Sequence, residues 1–298
     1  MIGRPEEQLP RVAMPTADPF LGFTLSDKEF RLFQDLVKAS TGITLSEHKR
    51  NLVSSRLSKR LRVLGLPSFQ AYHDYLIAEP AEMENFVNAI TTNKTDFYRE
   101  KHHFDFLERD IVPAWKTRAA RTGERRLRIW SAGCSSGEEP YTIAITLREA
   151  MDSCQGWDVR ILASDIDTAI LERATQAIYQ EERVADIPRP LMERHFLKGK
   201  GAHTGSVQVV REARDLVTFR QINLLEYQWP IRTVFDVIFC RNVIIYFDKP
   251  TQRRLMEHFA THLKDDGYLF IGHSETLHGL SDQFTVLGNT VYQKRSGR

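Results

Sequence analysis

Beyond residue 126 the chain switches repeatedly between two hydrophobic periods, and this alternation restricts the fold more than any other feature. Short apolar runs at LRIWSA (127–132), VRILASD (159–165), VFDVIFC (234–240) and YLFIGH (268–273) read as strands. Between them, 138–152, TAILERATQAIY (168–179) and a stretch near 250–264 carry apolar residues at helical spacing. Strands separated by helices at this interval predict an α/β domain with a doubly wound, mostly parallel sheet. FTVLG and TVYQK, turning at Gly288-Asn289, predict an antiparallel edge. One stretch breaks the rhythm. After the glycine loop GKGAHTG (199–205), SVQVVRE and LVTFRQ predict two short antiparallel strands, an inserted β-subdomain at about 199–222.

The first part of the chain has a different pattern. Pro5, Pro10, Pro15 and Pro19 mark 1–22 as a flexible leader. Ser26 and Glu29 make a capping box, Phe30, Phe33, Leu36 and Val37 form a helical stripe, and Gly42 ends it. Further helices are expected at 46–64, 68–78 and 80–91. Residues 23–91 therefore predict a small all-helical domain, 92–124 a linker and helix, and 125–298 the α/β domain. With 41 basic and 39 acidic residues the formal charge is +2, so any electrostatic partner must meet a local patch. Cys134, Cys154 and Cys240 are odd in number and far apart, which argues against a disulfide or zinc framework. No stretch approaches the roughly 18 apolar residues of a membrane span, and the N-terminus lacks a signal-peptide core. A cytoplasmic protein is expected.

In open α/β sheets ligands sit at the carboxyl ends of the strands. Here those ends carry the Gly133 turn, Asp165, Asn223 and Arg241-Asn242. A glycine turn after one strand and a carboxylate after the next is the arrangement that holds an adenosine by its ribose. Glu138 and Glu139 follow the turn, at a helix N-terminus, where they repel a pyrophosphate and suit an ammonium or sulfonium. That favours S-adenosylmethionine over a dinucleotide. The same turn, Gly133-Cys134-Ser135-Ser136-Gly137, fits the G-x-S-x-G elbow of hydrolases, with Ser135, Asp165 and His273 as a nominal triad. Against this, only helices precede the first strand and no oxyanion loop appears. His258 and His262, four apart on a helix, lack the rest of a metal motif, and no metal is expected.

Several stretches together resemble the CheR family of chemotaxis-receptor glutamate methyltransferases: TTNKTDFYREKHHF (91–104), WSAGCSSGEEPYTIAI (130–145), ASDID (163–167), NLLE (223–226), FDVIFCRNVIIYFDK (235–249) and GYLFIGHSET (267–276). The resemblance, from about Leu25 to Tyr292, implies the class I S-adenosylmethionine methyltransferase fold and transfer of methyl groups to receptor glutamates, leaving S-adenosylhomocysteine. It implies cofactor contacts at Asn93, Thr95, Arg99, Glu139, Asp165, Asn223, Leu224, Arg241 and Asn242, with Arg99 on the cofactor carboxylate and Tyr246 beside the methyl. Arg99 and Tyr246 are thus the expected catalytic residues. A glutamate is already ionised at pH 7, so no general base, and no essential His or Cys, is expected.

Two docking features are expected. On the helix at 46–64, Lys49, Arg56 and Arg60 fall in a strip about 40° wide, with Arg50 and Lys59 to either side. The resemblance makes this the receptor contact, and an RNA substrate is the alternative. The loop Gly199, Gly201 and Gly205 resembles that of members tethered to a receptor's C-terminal pentapeptide, which an exposed strand edge would take up by β-augmentation. The partners expected are chemotaxis receptors, with no nucleic acid or membrane insertion, and the protein is expected to be a monomer. A binding-only module that has lost transfer is the third possibility.

Overall fold

The computed structural model describes residues 22–296. The leader expected at 1–22 lies outside the described residues except for Gly22. Among the described residues no helix is long and apolar enough to cross a membrane.

The helical domain begins with α1 (Asp27–Thr41), whose Ser26–Glu29 capping box forms as expected and whose end is set by Gly42 at φ 73°. Helices α2 (Arg50–Leu64), α3 (Phe69–Ala78) and α4 (Glu82–Ile90) follow. Phe30, Phe33, Val53, Leu57, Tyr72 and Phe86 fill their shared core. Each such side chain removed from water contributes roughly 1.5–3 kcal/mol. Of the stripe read from the sequence, Phe30, Phe33 and Val37 are buried and Leu36 is partly buried, and α2, α3 and α4 supply the rest of the core.

A linker leads to α5 (His102–Phe106) and α6 (Val112–Thr122), joined through a π-helical turn. The α/β domain then runs β1 (Arg126–Ala132), α7 (Glu138–Ala150), β2 (Asp158–Asp165), α8 (Thr168–Gln176), β3 (Ile178–Gln180), α9 (Arg189–His195), β4 (Phe196–Lys198), β5 (Ser206–Val209), α10 (Arg211–Arg214), β6 (Val217–Gln221), β7 (Phe235–Cys240), α11 (Lys249–His262), β8 (Leu263–Ile271), β9 (Phe284–Gly288) and β10 (Val291–Lys294). The large sheet has seven strands in the order β6-β2-β1-β7-β8-β10-β9. The first five are parallel, and β10 and β9 form the expected antiparallel edge. All of β7 is buried, the mark of a central parallel strand covered on both faces.

The insertion differs from the reading of the sequence. SVQVVRE does form an antiparallel strand, β5, but it pairs with β3 and β4 in a separate three-stranded sheet. LVTFRQ instead forms β6, which runs parallel to β2 on the rim of the large sheet. The small sheet thus draws on 178–209 rather than 199–222. Its first strand was hidden in the tail of TAILERATQAIY, where Ala177 at φ 55° stops the helix after Gln176.

From β1 the chain winds outward through β2 to β6, then returns to lay β7 on the other side of β1. The β1/β7 junction is therefore the topological switch point, where strand-end loops diverge and leave a crevice.

Candidate active site

A cavity of about 270 Å³ opens at that junction. Asn93, Thr95, Arg99, Glu139, Asp165, Asn223, Leu224, Arg241, Asn242 and Tyr246 all border it, so the structure brings the expected cofactor and catalytic residues into one place. The glycine turn after β1 must come close to the loop after β7. Gly133 has φ 83°, and a Cβ there would lie 2.4 Å from Val243 Cγ2.

Asp165 ends β2 with both carboxylate oxygens engaged from behind: the Ser135 amide donates to one at 2.9 Å and the Asp167 amide to the other at 3.1 Å. Burial pushes its pKa up, while those amides oppose the rise. Each oxygen keeps acceptor capacity, the geometry two vicinal hydroxyls require. Ile43, Ile166, Ile222, Leu224 and Phe247 give the neighbouring wall an apolar surface suited to a flat base. Asn223 is fixed by two bonds of its own, Nδ2 donating to Ser40 O (2.8 Å) and Oδ1 accepting from the Leu225 amide (2.9 Å).

Glu139 and Arg241 meet each other. The Arg241 guanidinium lies 3.2 Å from Glu139 and 3.3 Å from Glu100, and also donates to the Arg99 carbonyl. Ser131 Oγ donates to Glu139 at 2.6 Å. Burial raises the Glu139 pKa, with Arg241 pulling the other way. Burial would also raise Glu100, but the His273 hydrogen bond, the Arg241 charge and the Asn242 amide outweigh it and hold Glu100 at about 2. Buried His103, beside the same guanidinium, is pushed down to about 3. Sequence reasoning missed Glu100 and His103 as members of this network.

The loop after β7 is fastened by another unexpected residue. Buried Glu275 accepts from the amides of Gly272 (2.6 Å), Asn242 (2.9 Å) and Ile245 (3.2 Å), so a single carboxylate sets the backbone that carries Asn242 and Tyr246. The Tyr246 carbonyl accepts from the Thr44 amide at 2.8 Å, tying the loop to the helical domain. The Tyr246 ring lies 4.5 Å beneath Lys49 Nζ, and burial raises its phenol pKa while Arg99 lowers it.

The opposite wall is the linker at 91–99. Asn93 spends its side-chain amide on Asp167 (2.7 Å), and its carbonyl accepts from Ser135 Oγ (3.1 Å). Arg99 donates one nitrogen to the Lys94 carbonyl (2.8 Å) and, among the described residues, forms no ion pair. Its remaining donors are available to a carboxylate.

The nominal triad does not assemble. Ser135 Oγ is committed to the linker, and His273 Nδ1 lies 2.8 Å from Glu100. His262 Nδ1 lies 2.9 Å from the His258 carbonyl, and all three cysteines are buried and free. The basic strip is divided. Arg60 makes a bidentate pair with buried Glu82, Arg50 pairs with Asp27 and Glu47, and Arg56 donates to the Ala89, Ile90 and Thr91 carbonyls. Lys59 is exposed, and Lys49 lies at Tyr246. Arg50 and Arg60 thus serve the helical domain's own ion pairs, since their partners sit on neighbouring turns and helices.

A switch-point cavity with an adenosine-type carboxylate after its second strand, a cationic hand for a carboxylate and acids at the helix start defines an S-adenosylmethionine-dependent methyltransferase. The residues fit that cofactor: Asp165 for the ribose, the apolar slot for the base, Arg99 for the carboxylate. Comparison with known proteins gives the family. The profile described as CheR methyltransferase, SAM binding domain, matches residues 93–293, and that described as CheR methyltransferase, all-alpha domain, matches 28–91. The chain belongs to the CheR methyltransferase family. It is 49% identical over 284 residues to Chemotaxis protein methyltransferase 2 of Pseudomonas aeruginosa, covering 94% of this chain and 99% of that one. It is 44% identical over 274 residues to Chemotaxis protein methyltransferase of Klebsiella aerogenes, covering 90% of each, and 43% identical over 271 residues to that of Escherichia coli, covering 90% and 91%.

Proposed function

We propose that the chain is a protein-glutamate O-methyltransferase that forms γ-glutamyl methyl esters on chemotaxis receptors and so serves adaptation in chemotaxis. The names of its relatives support the chemotaxis role. The observation that carries the chemistry is the cavity lining, where Tyr246, its ring beneath Lys49, stands with Arg99. A glutamate carboxylate arriving there meets positive potential, needs no base because it is already ionised, and loses water as it enters.

S-adenosylmethionine held there would supply a methyl on a positive sulfur, passing to the glutamate oxygen with the C–S electron pair left on sulfur and with no proton to move. The protein's work is alignment and exclusion of water, which together are worth several kcal/mol. Asp165 holds the ribose, Arg99 the carboxylate, and Tyr246 shapes the path along which the glutamate approaches. Asn93, Asn223, Glu139, Arg241 and Asn242 keep these groups in register.

The receptor helix docks along Lys49, Arg56 and Lys59, whose charges suit an acidic bundle. A second contact falls on the small sheet, whose edge strands β3 and β4 are open to an extended peptide. Exposed Ile178 and Leu197 stand in one row through Gln208, beside the loop carrying Gly199, Gly201 and Gly205. Tethering there raises local receptor concentration; the protein acts as a cytoplasmic monomer. The test is methyl transfer from labelled cofactor to a purified receptor cytoplasmic fragment. Lys59→Glu should raise the receptor KM about tenfold with S-adenosylhomocysteine affinity unchanged, as expected for a charge that steers a partner. Label on RNA instead of receptor would favour the alternative substrate.

A further inference from the structure

The small inserted sheet packs behind the residues that wall the cofactor cavity. Phe97, in the linker that walls the cavity, is buried between Tyr179 of β3 (centroids 4.9 Å) and Phe196 of β4 (5.4 Å). Tyr179 donates its hydroxyl to the Ser136 carbonyl at 2.8 Å, touching the glycine turn on the opposite wall. Arg183, three residues beyond β3, makes the strongest link. Its guanidinium donates to Asp96 (2.9 Å) and to the Thr95 carbonyl on the linker, and to buried Glu138 (2.7 Å) at the start of α7. One cation from the insertion therefore joins the linker that lines the cavity to the start of α7, behind the glycine turn. The segment it grips lies between Asn93 and Arg99, the part of the linker that faces the cofactor.

We infer that Arg183 is a positioning residue for cofactor retention: by tying the 94–97 strap to the glycine-turn helix it sets how long the cofactor stays bound. This rests on the assignment of the cavity to S-adenosylmethionine. Without Arg183 the strap keeps its anchors at Asn93 on Asp167, at buried Phe97 and at the Arg99 carbonyl on Arg241. Its Thr95–Asp96 centre, however, opens more often, and local opening of this kind limits release from covered sites. The insertion then acts on cofactor exchange as well as on any outer contact, because Tyr179 lies on β3 and Arg183 in the turn that follows it.

The experiment measures S-adenosylhomocysteine dissociation by stopped flow for wild type, Arg183→Met, Arg183→Lys and Asp96→Asn, with amide hydrogen exchange over 92–99. Arg183→Met should speed dissociation about tenfold, the size of one partly exposed charge-assisted hydrogen bond, with faster exchange confined to the strap. Arg183→Lys should restore part of the lifetime, since the charge survives and the fork geometry does not. In turnover, the cofactor KM should rise more than kcat falls. Asp96 is exposed, so Asp96→Asn cuts the strap end of the tie without leaving a buried charge. It should speed dissociation several-fold on its own and add little to Arg183→Met. If Arg183→Met does not fold, Asp96→Asn decides. Dissociation within twofold of wild type and unchanged strap exchange in a folded variant would overturn the inference while leaving the cofactor assignment intact. Failure of wild type to bind S-adenosylhomocysteine would overturn both.

Discussion

Replacing Asp165 by alanine removes the carboxylate that we propose takes the two ribose hydroxyls. Both of its oxygens are already oriented by the Ser135 and Asp167 amides, so little ordering remains to be done when the ligand arrives. A hydrogen bond to a charged acceptor contributes about 1.5–3 kcal/mol net, and two sharing one carboxylate fall short of twice that, so a loss of about 3 kcal/mol is expected, roughly 150-fold in Kd. Calorimetric titration with S-adenosylhomocysteine reads this directly, and the 2′-deoxyribose analogue sharpens it. Removing that hydroxyl should weaken binding about tenfold in wild type and hardly at all in Asp165→Ala, because the partner is gone. Asp165→Asn is no mild control, since its NH2 would face a backbone N–H. A folded Asp165→Ala protein with Kd within threefold of wild type, or an equal deoxy penalty in both proteins, would refute the ribose role.

Arg241→Met strands two carboxylates, Glu139 and Glu100, at a site where the arginine side chain is 2% exposed. Urea unfolding should show a loss of about 3–5 kcal/mol, partly recovered when Glu139→Gln is added; full additivity would contradict the network. Arg60→Met leaves Glu82 buried without its cation and should cost about 2–3 kcal/mol of stability with receptor KM unchanged, opposite to Lys59→Glu; a receptor KM that rises as it does for Lys59→Glu would return Arg60 to the docking face. On acidification, His103, held at about 3 in the fold, costs stability once pH drops below its ordinary 6.5, because the unfolded chain takes the proton first. Glu100, held at about 2 against an ordinary 4.5, contributes stability that is complete above pH 5 and lost as pH falls toward 2, about 3 kcal/mol in all. The urea midpoint should therefore begin to drop below pH 6.5 and steepen below pH 5, and Glu100→Gln should flatten the lower limb; an unchanged lower limb would contradict the pairing.

The sequence discloses most readily what depends on short range. The Ser26 capping box, the helix stop at Gly42, the hairpin at Gly288-Asn289 and the strand end that places Asp165 all follow from neighbours within a few residues. β6 was misread because its alternating, half-exposed pattern suits a parallel rim strand and an antiparallel hairpin equally. Arg60 was grouped with docking residues because Glu82 lies 22 positions away on another helix. Glu139 and Arg241 were read as cofactor contacts from their strand ends. That they neutralise one another across 102 positions is a property of the β1/β7 junction, which no spacing rule contains. Glu275 and Arg183 gave little signal. Apart from the Gly272 amide three positions from Glu275, their partners, Asn242 and Ile245 for Glu275 and Thr95, Asp96 and Glu138 for Arg183, are brought close only by the fold.

The central claim is methyl esterification of receptor glutamates. The most direct measurement is mass spectrometry of a receptor cytoplasmic fragment after incubation with the enzyme and S-adenosylmethionine, before and after mild base. The account predicts single-methyl additions on specific glutamates that disappear with base as methanol is released. Additions that survive base, or none on glutamate despite cofactor binding, would contradict it.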